Sequence, residues 1–145
     1  MRALVNRCGH ALASLGLELE QRVTLLLPDS PELAALFFGA MKIGAIPIPT
    51  NTLLRPPDYR YMLEDSRSRV LVVSTSLWPS VEPILGDARW LRAVAVVDDA
   101  GSGVPDVPGL AVVDLDPPEE DVDENSGERD RHAVGHPAHA EILRC

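Results

Sequence analysis

Along the first hundred positions the apolar residues switch repeatedly between two spacings. Leu4, Val5, Cys8, Leu12 and Leu15 recur three and four apart, and Gly16 follows as a stop. That period predicts an amphipathic helix over residues 2–15. Residues 23–27 are a run that is apolar on both faces, the pattern of a strand in a parallel sheet covered on each side by helices. Asp29 or Ser30 then supplies a helix cap, and Pro31 suits the first turn because its missing N–H costs nothing there. Ala34, Ala35, Phe37, Phe38 and Met41 make the following helix apolar over much of its girth, so it should be largely buried. Gly44 ends it. Residues 45–48 read as a short strand, expected to lie at an edge or to be very short, because Pro47 and Pro49 cannot donate ladder hydrogen bonds. A helix is expected over residues 58–66, strands over 70–74 and 93–97, and a fifth strand over 110–113. Residues 77–85 read as a weak helix broken by Pro79 and Pro83. Strands alternating with helices predict an α/β fold, a parallel sheet with flanking helices and right-handed crossovers.

The pattern stops after residue 113. Residues 114–131 are rich in Pro and acid with almost no apolar side chain, the composition of a disordered segment, and residues 132–145 have no clear period. Two regions are therefore expected: an α/β region over 1–113 and an acidic tail over 114–145. Charge divides at the same point. Residues 1–113 carry 10 Lys+Arg against 12 Asp+Glu, a net of −2, and residues 114–145 carry 3 against 10, a net of −7. No overall basic footprint points to nucleic acid, and none points to an anionic membrane. The longest apolar stretch, residues 34–41, ends at Lys42, far short of the roughly 20 residues that span a bilayer. Asn6 and Arg7 interrupt the early apolar run, so no secretory leader is expected. Cys8 reads as a small core residue, and Cys145 stands alone in the tail. Two cysteines make no disulfide framework, which favours a reducing cytoplasm. With 4% aromatic residues, the core must be aliphatic.

Several short motifs bear on chemistry. The loop from Leu27 to Glu32 joins a strand end to a helix start, where open α/β sheets place anionic ligands. It has no glycine, and Asp29 and Glu32 would repel phosphate, so a capped helix start is the preferred reading. Gly101, Ser102 and Gly103 are followed by Val104 and Pro105, which makes them a surface loop rather than a phosphate cradle. His132, His136 and His139, with Cys145 beyond, have spacings a metal could use, but Pro137 interrupts any helix. Asp98 and Asp99 follow a strand end, where paired carboxylates can hold Mg²⁺; a solvated turn explains them as well. Ser74, Thr75 and Ser76 read as a strand end and helix cap, and His10 as a surface residue. The residues therefore nominate no catalytic, cofactor-binding or metal-binding position.

The spelling of longer segments is more specific. Residues 22–32, from Arg22 through Pro28 to Glu32, resemble the early strand–turn–helix of acyl-CoA synthetases of the adenylate-forming (AMP-dependent synthetase/ligase) superfamily. Residues 38–51 resemble the next element, with Gly39, Ala40, Lys42, Gly44 and a small-residue strand. Residues 51–54 and 58–66 are most similar to the branch that activates benzoate and related aryl acids. The resemblance covers about residues 2–98. It implies a partial N-terminal lobe of the adenylate-forming ligase fold. It also implies a parent that forms an acyl-adenylate from ATP and a small-molecule carboxylic acid, then passes the acyl group to coenzyme A. ATP, Mg²⁺ and coenzyme A are thus expected for the parent, and none is expected to be held by this chain. The family's Ser/Thr/Gly-rich phosphate loop, adenine motif and catalytic lysine match no position here; Lys42, the only lysine, falls inside a helix. The resemblance therefore implies a ligase fragment, inactive alone, with a helix face exposed for self-association. Two other readings are a stand-alone α/β module that docks on a ligase subunit, and a flavodoxin-like receiver using Asp98 or Asp99. The receiver needs a lysine on a later strand, which the chain does not have.

Overall fold

A computed structural model describes residues 1–99, 101, 103, 111–116 and 143–144, with 111–116 and 143–144 described as backbone strands. The elements are α1 (Arg2–Ser14), β1 (Arg22–Leu26), α2 (Pro31–Lys42), β2 (Ile46–Pro49), α3 (Pro56–Ser66), β3 (Val70–Ser74), α4 (Trp78–Leu85), β4 (Ala93–Val97), β5 (Ala111–Asp116) and β6 (Leu143–Arg144). A 3₁₀ turn, Thr75–Leu77, leads into α4. Local signals set most of these limits. Gly16 and Gly44 adopt φ of +82° and +79° just past α1 and α2, a left-handed conformation that stops a helix at low steric cost in glycine. Ser30 caps α2, its hydroxyl accepting from the Leu33 N–H at 3.3 Å, with Pro31 in the first turn. The Asp58 carboxylate accepts from the Arg55 N–H at 3.2 Å and closes the start of α3.

The strands form one sheet in the order β2-β1-β3-β4-β5-β6, and every described pairing is parallel. Each face buries its own aliphatic layer. Val23, Leu25, Val70, Val72, Ala93 and Ala95 face α1 and α2, meeting Cys8, Leu12, Leu36 and Ala40. Leu26, Leu71, Val73, Val94 and Val96 face α3 and α4, meeting Tyr59, Leu63, Trp78, Val81 and Ile84. The central strands β3 and β4 are buried along their whole length, which explains their unbroken apolar runs. Thr24 is a polar intruder, as is Ser74, whose hydroxyl pairs with that of Ser76 at 3.0 Å. The Thr24 hydroxyl pairs with that of Ser68 at 2.7 Å, and Ser66 bonds Ser68 at 2.8 Å, so the buried hydroxyls are satisfied.

The expected α/β architecture is the observed one, and β2 is an edge strand. Its N–H groups alternate in direction. Ile46 donates inward to the Gln21 carbonyl at 2.8 Å and Thr50 to that of Leu25 at 2.9 Å. Pro47 and Pro49 therefore occupy the outward positions, and that edge offers no N–H there.

Three expectations need correction. Residues 78–85 form an unbroken helix. Pro79 lies in its first turn, and Pro83 removes one hydrogen bond, which the burial of Trp78, Val81, Ile84 and Leu85 outweighs. The fifth strand begins at Ala111 and reaches Asp116, past the expected limit at residue 113. Helix α2 is not largely buried: Ala35, Leu36, Gly39 and Ala40 face inward, while Phe38 and Met41 are 53% and 54% exposed. The acidic stretch 117–131 and His132, His136, His139 and Cys145 lie outside the described residues. Among the described residues no helix is long and apolar enough to cross a membrane.

Candidate functional site

The C-terminal ends of β1, β3 and β4 meet at one edge of the sheet, the usual ligand position in an open parallel sheet. A small cleft of about 170 Å³ lies there, lined by Leu27, Pro28, Ser30, Glu32, Ser74, Val97, Asp98 and Asp99. Register builds it, because Ser74 pairs with Val97 and so sets the turn after β3 beside the acids after β4. Asp99 accepts from the Thr75 hydroxyl at 2.7 Å, the Ser76 N–H at 2.9 Å and the Ser76 hydroxyl at 2.6 Å. Asp98 also lies 3.0 Å from the Thr75 hydroxyl, which has one proton to share, and it accepts from the Gly103 N–H at 3.3 Å. The two acids tie the turn before α4 to the strand beside it.

Burial alone would raise the Asp99 carboxyl, but the donors from the Ser76 side chain and backbone and from Thr75 prevail and hold it below the ordinary carboxylate range. A depressed folded-state value means that the stabilisation is present above the unfolded value, near 4. It is lost as pH falls through the folded one. Thermal unfolding followed from pH 6 down to about 2 should therefore show a drop below about pH 4 that is shallower in Asp99→Asn. Equal pH slopes in the two proteins would contradict this latch.

A second cleft, of about 470 Å³, opens between the ends of β1 and β2 and is lined by Leu25, Leu27, Pro28, Asp29, Leu33, Pro49, Thr50, Asn51 and Thr52. It contains one carboxylate and no cation. Away from that edge, α3 is tied to the loop after α4 by Arg89–Glu64 at 2.8 Å and Arg60–Asp87 at 3.4 Å, both on the surface. The Arg89 side-chain and backbone bonds hold the Glu64 carboxyl below its ordinary value.

The structure brings Asp98 and Asp99 together with Thr75 and Ser76 as a turn latch, more than the solvated turn that the acids alone suggest. The available signal was two hydroxyl residues ending one strand and two acids ending its neighbour. Ser30 is the helix cap, His10 is exposed, and Cys8 is buried in the core. Lys42 ends α2 and donates to the Asn6 side chain. Among the described residues no group of three or more His, Cys, Asp or Glu is placed to hold a metal ion.

Residues 1–141 match the family model described as AMP-binding enzyme. This chain belongs to the AMP-binding enzyme family. It is 43% identical over 100 residues to the 4-hydroxybenzoate–CoA/benzoate–CoA ligase of Rhodopseudomonas palustris, covering 69% of this chain and 19% of that protein. It is 46% identical over 98 residues to the benzoate–CoA ligase of Thauera aromatica, covering 67% of this chain and 19% of that one. Among solved structures, the anthranilate CoA ligase AuaEII in complex with anthranoyl-AMP matches with a TM-score of 0.63 at 43% identity, over 64% of this chain and 18% of that one. The chain thus spans about a fifth of the length of the curated relatives it matches. The nucleotide that the family name implies does not fit the small cleft. Glu32, Asp98 and Asp99 line it without a cation, and its volume is below the roughly 300 Å³ at which small-molecule sites begin.

Proposed function

We propose that this family member forms the N-terminal α/β layer of an ATP-dependent carboxylic acid–CoA ligase that activates an aryl or related acid, and that these 145 residues alone make no acyl-adenylate. The identity of 43% and 46% to two benzoate–CoA ligases, confined to a fifth of their length, carries this reading. Adenylation requires donors and cations around a triphosphate as charge moves to the leaving pyrophosphate. The small cleft at the sheet edge presents carboxylates instead, which supports a structural role for this layer. ATP, Mg²⁺ and coenzyme A would belong to the full-length ligase.

A graft tests both halves of the proposal. Purified chain with benzoate, ATP and Mg²⁺ should release no pyrophosphate above a no-protein blank. Residues 1–98 grafted in place of the matching segment of the Thauera enzyme should retain benzoate–CoA formation within about tenfold, since 1.4 kcal/mol is a factor of ten. Turnover by the chain alone, surviving repurification, would overturn the structural role. A folded but inactive graft would overturn the ligase-layer reading.

A further inference from the structure

The opposite edge of the sheet contains a row of cations. Val23 pairs with Val70 and Val70 with Ala93, so Arg22, Arg69 and Arg92 stand side by side at the N-terminal ends of β1, β3 and β4. The Arg69 N–H donates to the Arg22 carbonyl at 2.9 Å, and the Arg92 N–H to that of Arg69 at 2.8 Å. Strand alternation places all three on the α3/α4 side, with Leu26, Leu71 and Val94. Arg67, at the C-terminus of α3, joins them; its guanidinium and that of Arg69 lie 5.3 and 5.7 Å from the Trp90 ring. Neighbouring strands are only about 4.8 Å apart, and like charges set side by side repel. Among the described residues no carboxylate forms an ion pair with any of these four; Asp87 and Glu64 serve Arg60 and Arg89. The negative end of α3 offsets one cation in part, not four.

We propose that this arginine row is the docking surface for the chain's own acidic segment, residues 119–130. That segment has seven carboxylates against one arginine. It leaves from Asp116, and the chain returns to β6 on the far side of β5, parallel to it. The rightward steps from β2 to β3 and from β3 to β4 both cross over the α3/α4 face, which is also the face that the arginines occupy, and right-handed crossovers are the rule between parallel strands. Reach is sufficient: residues 119–130 lie 3 to 14 positions beyond Asp116, up to about 46 Å at roughly 3.3 Å per residue, against about 17 Å for a five-residue strand.

The full chain labelled with 5-fluorotryptophan tests the proposal, with Trp90→Phe assigning the two ¹⁹F resonances. Raising salt from ~20 mM to ~500 mM shortens the screening length severalfold and should move the Trp90 resonance. In a variant with Glu119, Glu120, Asp121, Asp123 and Glu124 changed to their amides, that resonance should start at the high-salt position and lose its salt response. Arg22→Gln with Arg92→Gln should reduce the response, while Trp78 and the melting transition stay unchanged. An unaltered salt response in the amide variant would overturn the proposal. So would a Trp90 shift seen only on adding tripolyphosphate, which would make the row a site for an external anion.

Discussion

Gly39→Ala destabilises the fold by about 1–3 kcal/mol, although alanine is the better helix former by about 1 kcal/mol. The reason is the crossing of α1 and α2. A Cβ on Gly39 would lie 2.8 Å from the Gly9 nitrogen and 2.9 Å from the Val5 carbonyl oxygen, both backbone atoms that no rotamer change removes. The helices must part, and the layer of Cys8, Leu12, Leu36 and Ala40 parts with them. Gly9→Ala should cost less, because its Cβ meets the Gly39 carbonyl oxygen at 3.0 Å and the Ile43 side chain at 3.4 Å. Gly86→Ala is the control: nothing lies within 4 Å, so stability should hold or rise by about 0.4–1 kcal/mol. Urea midpoints of the three variants should rank Gly39→Ala lowest and Gly86→Ala highest. Equal midpoints for those two would mean that the helices do not touch at this crossing.

The isolated chain is expected to associate through the outer face of α2. Phe38 and Met41, three apart on one helix face, stand more than half exposed, with the Phe37 ring edge-on to Phe38 at 5.6 Å. Fully burying an exposed side chain of this kind contributes about 1.5–3 kcal/mol, and these two are already about half covered. A symmetric contact burying two from each copy therefore contributes about 3–6 kcal/mol, near the lower end of the cost of association, so the expected association is weak. Sedimentation equilibrium over a wide concentration range should show self-association of the chain and a monomer for Phe38→Asp with Met41→Lys. A compact, cooperatively melting monomer for the unsubstituted chain would instead identify a self-sufficient domain.

The fold was legible where a residue's environment repeats along the chain. Val70 to Ser74 and Ala93 to Val97 are covered on both faces, so their apolar runs carry the strand assignment by themselves. The register was not legible. Nothing local says that Ser74 stands opposite Val97, and only that pairing turns Asp98 and Asp99 from loop acids into partners of Thr75 and Ser76. The arginine row was hidden for the same reason, since Arg22, Arg69 and Arg92 are far apart in the chain and adjacent only across the sheet. Pro83 misled because its local cost is readable and the burial that offsets it is not. An exposed face on α2 was expected from its apolar girth, but that Phe38 and Met41 form it was not legible, because composition counts apolar residues without saying which side meets a partner.

The prolines of β2 bear on how the sheet is made. As the chain leaves the ribosome, β1 and β2 emerge before β3, and a half-built sheet usually offers two open edges to neighbouring chains. Here Pro47 and Pro49 remove the outward donors from one of them. The nascent sheet is therefore lopsided: its β2 edge offers acceptors without donors, and extension is favoured along β1, by the strand that its own chain delivers next.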